Sequence, residues 1–271
     1  MSIVSGLRNG VRSALRSGVN PSDAGSLAGV TRDATSGVYY PATGAESASL
    51  IGAAGLTFTA AALWNLQEAS GNAADSIGSF TLTAAGTLAY QQVVAGLSRK
   101  GILTTQGAAG TLSSTAAGLP DIGTTSCLLW VDVAVPASVS TTRALCQLGA
   151  LFGSSASAQL ITSTNKKLNF ACDPNNAAGA DDATTTVRPV GIKVDRTGAV
   201  AALYTHAEKL TPALTATPAG KLVLLGGDNT VSFLPDAFTY VWAQLYSGAN
   251  AEWSDAQARA FLSTRGYTVA W

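Results

Sequence analysis

The fold is set by the stretch from Leu63 to Gly78, which reads LWNLQEASGNAADSIG. Leu63, Trp64 and Leu66 are typical of the end of a β-strand. The residues after them favour turns, because Gly and Asn tolerate positive φ and the side chains of Asp and Ser bond to nearby backbone. We therefore predict a strand that carries a tryptophan into a core and then gives way to a polar bend.

The composition indicates one large β domain with a short N-terminal appendage. The 271 residues are 47% hydrophobic and only 12% charged, and many are Gly, Thr and Ser. Sixteen basic residues balance sixteen acidic ones, so no global field attracts nucleic acid or an anionic membrane, and we expect neither as a partner. No apolar run reaches the roughly 18 residues of a membrane span or forms a signal-peptide core, which predicts folding in a reducing cytoplasm.

The three cysteines, Cys127, Cys146 and Cys172, lie in separate apolar segments and show no CxxC spacing. An odd number in this arrangement predicts neither a disulfide framework nor a metal site. We expect small buried hydrophobic side chains instead.

Residues 1–50 differ from the rest and are predicted to be an N-terminal docking arm and linker, with the globular domain over 51–271. A helix near the start would carry two stripes at a spacing of four residues, one apolar and one of guanidinium groups: Leu7, Val11, Leu15 and Arg8, Arg12, Arg16. So short a helix is stable only when packed on something. The alternative is a frayed tail. Val19 to Gly44 reads as an extended linker lying on a surface.

From Leu56 onward, short apolar runs alternate with turn residues about every ten positions, the pattern of an antiparallel sandwich. The candidate strands are 56–66, 80–83, 101–105, 126–133, 143–148, 159–162, 167–171, 190–194, 199–205, 221–225 and 239–246. The run Cys127–Val131 is apolar on both faces, which predicts a central strand covered on both sides. Asp195–Gly198 predicts a bulged hairpin with Gly198 in the left-handed region.

One helix is predicted near the C-terminus. Ser254 and Gln257 have the spacing of a capping box, Arg265 falls in the last turn, and Gly266 can close the helix. Phe261 and Leu262 would form its apolar face.

Five segments in register resemble concanavalin A-like lectin/glucanase domains of the laminin G-like type: Trp64–Gly78, Leu129–Val133, Val194–Gly198, Leu224–Asp228 and Trp242–Tyr246 with Ser254–Gln257. The resemblance covers about residues 56 to 266 and implies an all-β, two-sheet antiparallel jelly roll with a short C-terminal helix. The family includes lectins, glycosidases and scaffold modules, so the fold does not fix the function.

A looser resemblance is to tailed-bacteriophage virion proteins that carry such a domain. It rests on Ser5–Gly10, Asn20-Pro21 and Thr31–Asp33 together with the low-charge Ala/Gly/Thr-rich body. It implies a protein of the virion surface, made in the host cytoplasm.

The sequence argues against an enzyme. Glycosidases need two carboxylates about 5 to 10 Å apart, and glucanases of this fold place them on one strand as Glu-x-Asp-x-Glu. The glutamates, Glu46, Glu68, Glu208 and Glu252, show no such pattern. His206, the single histidine, follows a strand into a polar loop without a nucleophile motif, which favours a loop histidine over a catalytic triad.

The sequence offers two candidate binding sites. The acidic loop 173–182, or Asp75 or Asp228, could supply oxygen ligands to calcium, although the spacing matches no calcium loop and a solvated turn is the alternative. For a glycan, Trp253 beside Asn250 is the best aromatic candidate. The alternative is that Trp253 staples the helix to the sheet.

Taken together, the sequence predicts a non-enzymatic phage structural protein, anchored to capsid or tail proteins through its arm and acting as a capsid decoration protein. A homodimer or homotrimer would suit its low-charge surface. The alternatives are a tail fibre or receptor-binding protein that recognises a host surface glycan, and a glycoside hydrolase.

Overall fold

The computed structural model describes residues 27–105, 110–136, 143–149, 155–160, 168–172, 175–179, 187–212, 214, 219–226 and 237–271. Two antiparallel sheets form a sandwich, and this confirms the jelly-roll architecture expected from the sequence. The predicted strands and turns therefore assemble as two layers around one core.

The strands are bounded as follows: β1 Ala62–Trp64, β2 Thr83–Ala85, β3 Leu88–Val93, β4 Lys100–Thr104, β5 Thr111–Ser114, β6 Cys127–Ala134, β7 Arg143–Gly149, β8 Ser155–Leu160, β9 Leu168–Cys172, β10 Asn175–Ala178, β11 Val187–Asp195, β12 Val200–Tyr204, β13 Lys209–Leu210, β14 Val223–Leu225 and β15 Thr239–Ser247. The helices are α1 Gly44–Ala53 and α2 Asp255–Thr264, and a 3₁₀ turn covers Gly248–Ala251.

The first sheet runs β13-β12-β11-β6-β15-β4-β3, and β1 also pairs with β15. Along one edge of β15, β4 pairs with the beginning of the strand and β1 pairs with its later part. The second sheet runs β10-β9-β8-β7-β14-β5-β2.

β6 is the central strand that the sequence predicts. Leu129 and Val131 point into the core between the sheets, whereas Leu128 and Trp130 point to the outer face of the first sheet. All four side chains are fully buried, because alternate residues of a strand face opposite sides and both sides are covered here.

The outer face of the first sheet is covered by both helices. Leu50 and Ile51 of α1 and Phe261 and Leu262 of α2 join the same buried cluster as Trp130. The capping box of Ser254 and Gln257 is present, and Gly266 has φ +101°, so the predicted C-terminal helix is confirmed. α1 was not expected, because the sequence indicated an extended linker up to Gly44.

The stretch from Leu63 to Gly78 folds as a strand followed by a carboxylate-centred bend. After β1, Leu66 takes a left-handed φ of 55°. Asp75 Oδ1 accepts hydrogen bonds from the backbone N–H groups of Leu63 and Ile77, both at 2.9 Å. Its Oδ2 accepts from the N–H of Phe80 at 3.1 Å. Asp75 thus fixes the bend through backbone donors.

The predicted hairpin joins β11 and β12, but its left-handed residue is Ala199, with φ 51°, and not Gly198. Gly198 has a different role. Its N–H donates to Asp195 Oδ1 at 2.7 Å, and a Cβ there would lie 3.0 Å from the other carboxylate oxygen. The glycine therefore gives the Asp195 carboxylate room for close approach and does not supply the positive φ.

The three cysteines are buried, as expected, and none is joined in a disulfide. Burial raises the pKa of the Cys127 thiol to about 12, which keeps it protonated. No helix among the described residues is both long and apolar enough to span a membrane.

Candidate functional site

The most informative region is where residues 27–56, here called the attachment segment, pack on the outer face of the first sheet. The Trp242 indole donates to the carbonyl of Pro41 at 3.0 Å, and the Gln244 amide donates to the hydroxyl of Ser47. Tyr40 is completely buried in the same cluster. The part of the predicted linker that the structure describes is therefore built into the body of the protein.

Asp33 ties the attachment segment to the loop after β3. Its Oδ1 accepts from the N–H of Thr35 and from the N–H and hydroxyl of Ser36, at 2.8 to 3.1 Å. Its Oδ2 accepts from the N–H and hydroxyl of Ser98 and the N–H of Arg99, at 2.7 to 2.8 Å. Burial opposes its ionisation, but these hydrogen bonds outweigh burial and hold the pKa of Asp33 well below its usual range.

A second link is a buried ion pair between Asp132 of β6 and Arg265 at the end of α2. The two hydrogen bonds of the guanidinium to the carboxylate are 2.8 and 2.9 Å long, and both side chains are 0% exposed. The Tyr267 hydroxyl donates to the same carboxylate, and Arg265 Nε donates to the carbonyl of Tyr39 at 3.1 Å. The pair therefore joins the central strand, α2 and the attachment segment.

Aromatic rings complete this network. The Arg265 guanidinium lies 4.2 Å from the centroid of the Trp242 ring and 5.2 Å from that of Tyr40. Burial alone would lower the pKa of Arg265, but Asp132 beside it reverses the effect and keeps that pKa above its ordinary value. Arg265 therefore stays charged. The sequence predicts only that it lies in the last turn of the C-terminal helix.

Trp253, the candidate for stacking on a sugar ring, lies in the core with 1% of its surface exposed. Its ring stacks on Phe58 at 5.0 Å and meets Phe261 edge-on at 5.1 Å. The glycan role does not fit this position, because neither face of the indole is open. The alternative, a residue that staples the helix to the sheet, describes what is observed.

Asn250, the other glycan candidate, has a local structural role. Its Oδ1 accepts from the N–H of Thr59 at 2.9 Å, and its backbone carbonyl accepts from the Trp253 indole at 2.6 Å. The first contact holds the 3₁₀ turn against the chain before β1, and the second joins the turn to the residues that follow it.

The remaining candidates are dispersed. Glu46 accepts from backbone N–H groups of Thr31 and Ala42, and Glu252 accepts from hydroxyls of Ser126 and Thr197. His206 is partly buried and stacks on Tyr267 at 6.0 Å, so it is not a freely exposed loop histidine. Within the described residues no three His, Cys, Asp or Glu side chains are grouped for a metal ion.

Several predictions fall outside the described residues. They are the docking stripe of Leu7, Arg8, Val11, Arg12, Leu15 and Arg16, and the possible calcium ligands Asp173, Asp181, Asp182 and Asp228.

No protein-family model matches the chain, and no curated protein sequence matches it. Solved structures are similar in fold. A Trypanosoma rangeli sialidase in complex with 2,3-difluoro-KDN matches 76% of this chain and 32% of its own, with a TM-score of 0.56 at 12% identity. A mutant of that sialidase displaying trans-sialidase activity matches 76% of this chain and 33% of its own, with a TM-score of 0.56 at 13% identity.

A structure described as a receptor binding domain matches 77% of this chain and 51% of its own, with a TM-score of 0.53 at 13% identity. The chain thus spans about a third of the sialidases and about half of the receptor binding domain structure. At this level of identity the similarity concerns the fold. It agrees with the lectin-like β-sandwich that the sequence predicts.

Proposed function

We propose that this protein is a non-enzymatic structural component of a tailed-phage particle, most closely a capsid decoration protein. Residues 1–26 would be the docking arm, and the sandwich would be displayed at the virion surface. The observation that supports this is the tight packing of the attachment segment. Because the sandwich is packed firmly on the attachment segment, binding of the preceding arm to a particle would also hold the sandwich there.

The attachment begins with the first described residue. The N–H of Leu27 donates to the Tyr39 hydroxyl at 3.1 Å, and Val30 N–H donates to the carbonyl of Leu27 at 3.0 Å. The hydrogen bonds of Asp33 and the Asp132–Arg265 ion pair fix the same segment further along the chain. A pull on Leu27 is therefore transmitted to the central strand and not to a loose linker.

The arm would dock through the two stripes seen in the sequence. The apolar stripe would be buried against capsid or tail subunits, and the guanidinium stripe would pair with acidic residues of the same partner. Burial supplies the stability that so short a helix lacks in water. The low-charge surface of the displayed sandwich would allow it to associate as a dimer or trimer.

Particle incorporation tests this function. Phage particles would be assembled in cells that supply the full chain, the chain lacking residues 1–26, or a triple serine variant of Leu7, Val11 and Leu15, and bound protein would be measured in purified particles. The matched control changes the opposite helical face to alanine at Asn9, Ser13 and Ser17. We expect loss of incorporation for the first two variants and retention for the control. Unchanged incorporation without residues 1–26 would overturn the proposal.

A second candidate is a receptor-binding protein that recognises a host surface glycan. The fold similarity to a receptor binding domain and to a sialidase whose structure holds sialic acid favours it. A glycan array with the full chain separates the two. Specific binding competed by free sugar would favour recognition, and its absence together with arm-dependent incorporation would favour the structural role.

A further inference from the structure

One of the five tryptophans differs from the others in the hydrogen bonding of its indole N–H. The indoles of Trp64, Trp242, Trp253 and Trp271 each donate to a backbone carbonyl, at 2.6 to 3.0 Å. Trp130 is 0% exposed, yet its Nε1 has no hydrogen-bond partner among the described residues. A buried donor left unpaired costs about 1–3 kcal/mol, so each such group in a native protein requires an explanation.

A matching acceptor lies directly opposite on the neighbouring strand. Gln244 of β15 is paired with Trp130 of β6, and opposed residues of antiparallel strands project from the same face of the sheet. Gln244 is also 0% exposed. Its amide nitrogen donates to the hydroxyl of Ser47, but within the described part of the chain its Oε1 has no partner. An unpaired donor and an unpaired acceptor therefore project side by side from the outer face of the first sheet.

The orientation of the indole directs its Nε1 towards the strand that carries Gln244. A Cβ added at Gly191 of β11 would lie 2.5 to 2.8 Å from Cζ3, Cε3 and Cη2 of Trp130, so this edge of the ring leans towards β11. Nε1 belongs to the other edge of the indole. Because β6 has β11 on one side and β15 on the other, Nε1 points away from β11 and towards β15.

The surroundings favour a small neutral molecule between the two groups. The rings of Phe261, Tyr204 and Trp253 pack around the Trp130 indole, with centroids 5.3, 5.9 and 6.1 Å away. A cation would be repelled by the indole N–H, and an anion would be repelled by the amide oxygen of Gln244. A molecule that accepts from one group and donates to the other satisfies both, and water is the smallest such molecule.

We propose that one buried water molecule binds between Trp130 and Gln244, accepting from Nε1–H and donating to Oε1. Buried waters typically make about two to four hydrogen bonds to groups that otherwise lack partners. This water would complete a polar chain from the central strand through Gln244 to Ser47 of α1, and so would help to fix the attachment segment on the sheet. The site depends only on the packing of the sandwich and not on the proposed virion role.

Cross-relaxation between water and the indole protons, measured by NMR, tests the site. In the ¹⁵N-labelled full chain each tryptophan gives one indole N–H signal, and Trp130→Phe identifies the signal of Trp130. We expect that signal to show a cross-peak to water with the sign that a long-bound molecule gives. The Trp242 signal is the matched control, because this indole is equally buried but already donates to the carbonyl of Pro41. It should show no such cross-peak.

Three further variants separate a bound water from other causes of the cross-peak. Hydroxyl protons that exchange with water can give the same signal, and the hydroxyls of Ser47 and Tyr246 lie near Gln244. The cross-peak should therefore persist in Ser47→Ala and in Tyr246→Phe. It should be lost in Gln244→Leu, which removes the acceptor, while the remaining indole signals report that the fold is kept. The proposal is wrong if Trp130 shows no cross-peak, if Trp242 shows an equal one, if either hydroxyl variant abolishes it, or if Gln244→Leu retains it.

Discussion

Replacing Arg265 with Met should destabilise the protein severely. The change removes two hydrogen bonds to Asp132 and one to the carbonyl of Tyr39, all fully buried. It leaves Asp132 with a single donor, the Tyr267 hydroxyl, among the contacts of this network. An uncompensated buried charge typically costs about 3–5 kcal/mol, and we expect that loss in the free energy of unfolding.

The assay is equilibrium unfolding in urea, monitored by tryptophan fluorescence. Urea is uncharged and does not screen charges. Lys209→Met is the matched control, because Lys209 pairs with Asp255 where the two side chains are 26% and 47% exposed. Exposed pairs contribute about 0–1 kcal/mol. The double variant Asp132→Leu with Arg265→Met should recover at least about half of the loss, since no charge remains unpaired.

An Arg265→Met cost below about 1 kcal/mol, or no larger than that of Lys209→Met, would refute the reasoning. It would mean that water or a rearranged side chain satisfies Asp132 and that the pair does not hold the attachment segment, α2 and β6 together.

Two further predictions concern the same body. Asp33→Ala should lower the free energy of unfolding by about 2–4 kcal/mol at pH 7, because six hydrogen bonds lose their acceptor. The pKa of Asp33 is lower in the folded state than in the unfolded state, so its contribution to the free energy of unfolding is present above the unfolded value of 3.8 and is lost as pH falls through the folded value. The urea midpoints of wild type and variant should therefore converge as pH falls below 3.8. A constant gap between them would contradict this. Gly191→Ala should lower the free energy of unfolding by about 1–3 kcal/mol, because the new Cβ would lie 2.5 Å from the Trp130 ring. Gly52→Ala in α1 should instead stabilise the protein by about 0.5–1 kcal/mol, because a Cβ there meets nothing within 4 Å. Equal effects of the two variants in thermal melts would contradict both expectations.

The sandwich could be predicted where local pattern decides the outcome. β6 is apolar on both faces and is buried on both, and the hairpin between β11 and β12 follows from turn residues between two apolar runs. The capping box of Ser254 and Gln257 is a contact between near neighbours in the chain. Such features depend on a few adjacent residues, and the sequence displays them directly.

The packing of the attachment segment could not be read in the same way. α1 consists mostly of small residues, and Leu50 and Ile51 give it little apolar periodicity. Its clearest signal is Thr43, whose side chain accepts from the N–H of Glu46 three residues later. Strands β3 and β5 are short or polar and form because partner strands supply their hydrogen bonds. Propensity is a weak prior when tertiary contacts decide.

The placement of Trp253 and Arg265 depends on contacts between distant residues. A tryptophan in a turn is equally suited to a surface site and to a core, and only the covering rings of Phe58 and Phe261 decide. For Arg265 a signal was present. Asp132 sits in an otherwise apolar central strand, and a buried carboxylate requires a cationic or hydrogen-bonding partner.

The central claim, that the arm alone directs this body to a particle, is tested most directly by transplanting the arm. Residues 1–26 would be fused to an unrelated folded carrier, and its incorporation into purified phage particles would be compared with that of the carrier alone and of residues 27–271. The account predicts that the fused carrier is incorporated and that the other two are not. Incorporation of residues 27–271 while the fused carrier stays in solution would contradict it.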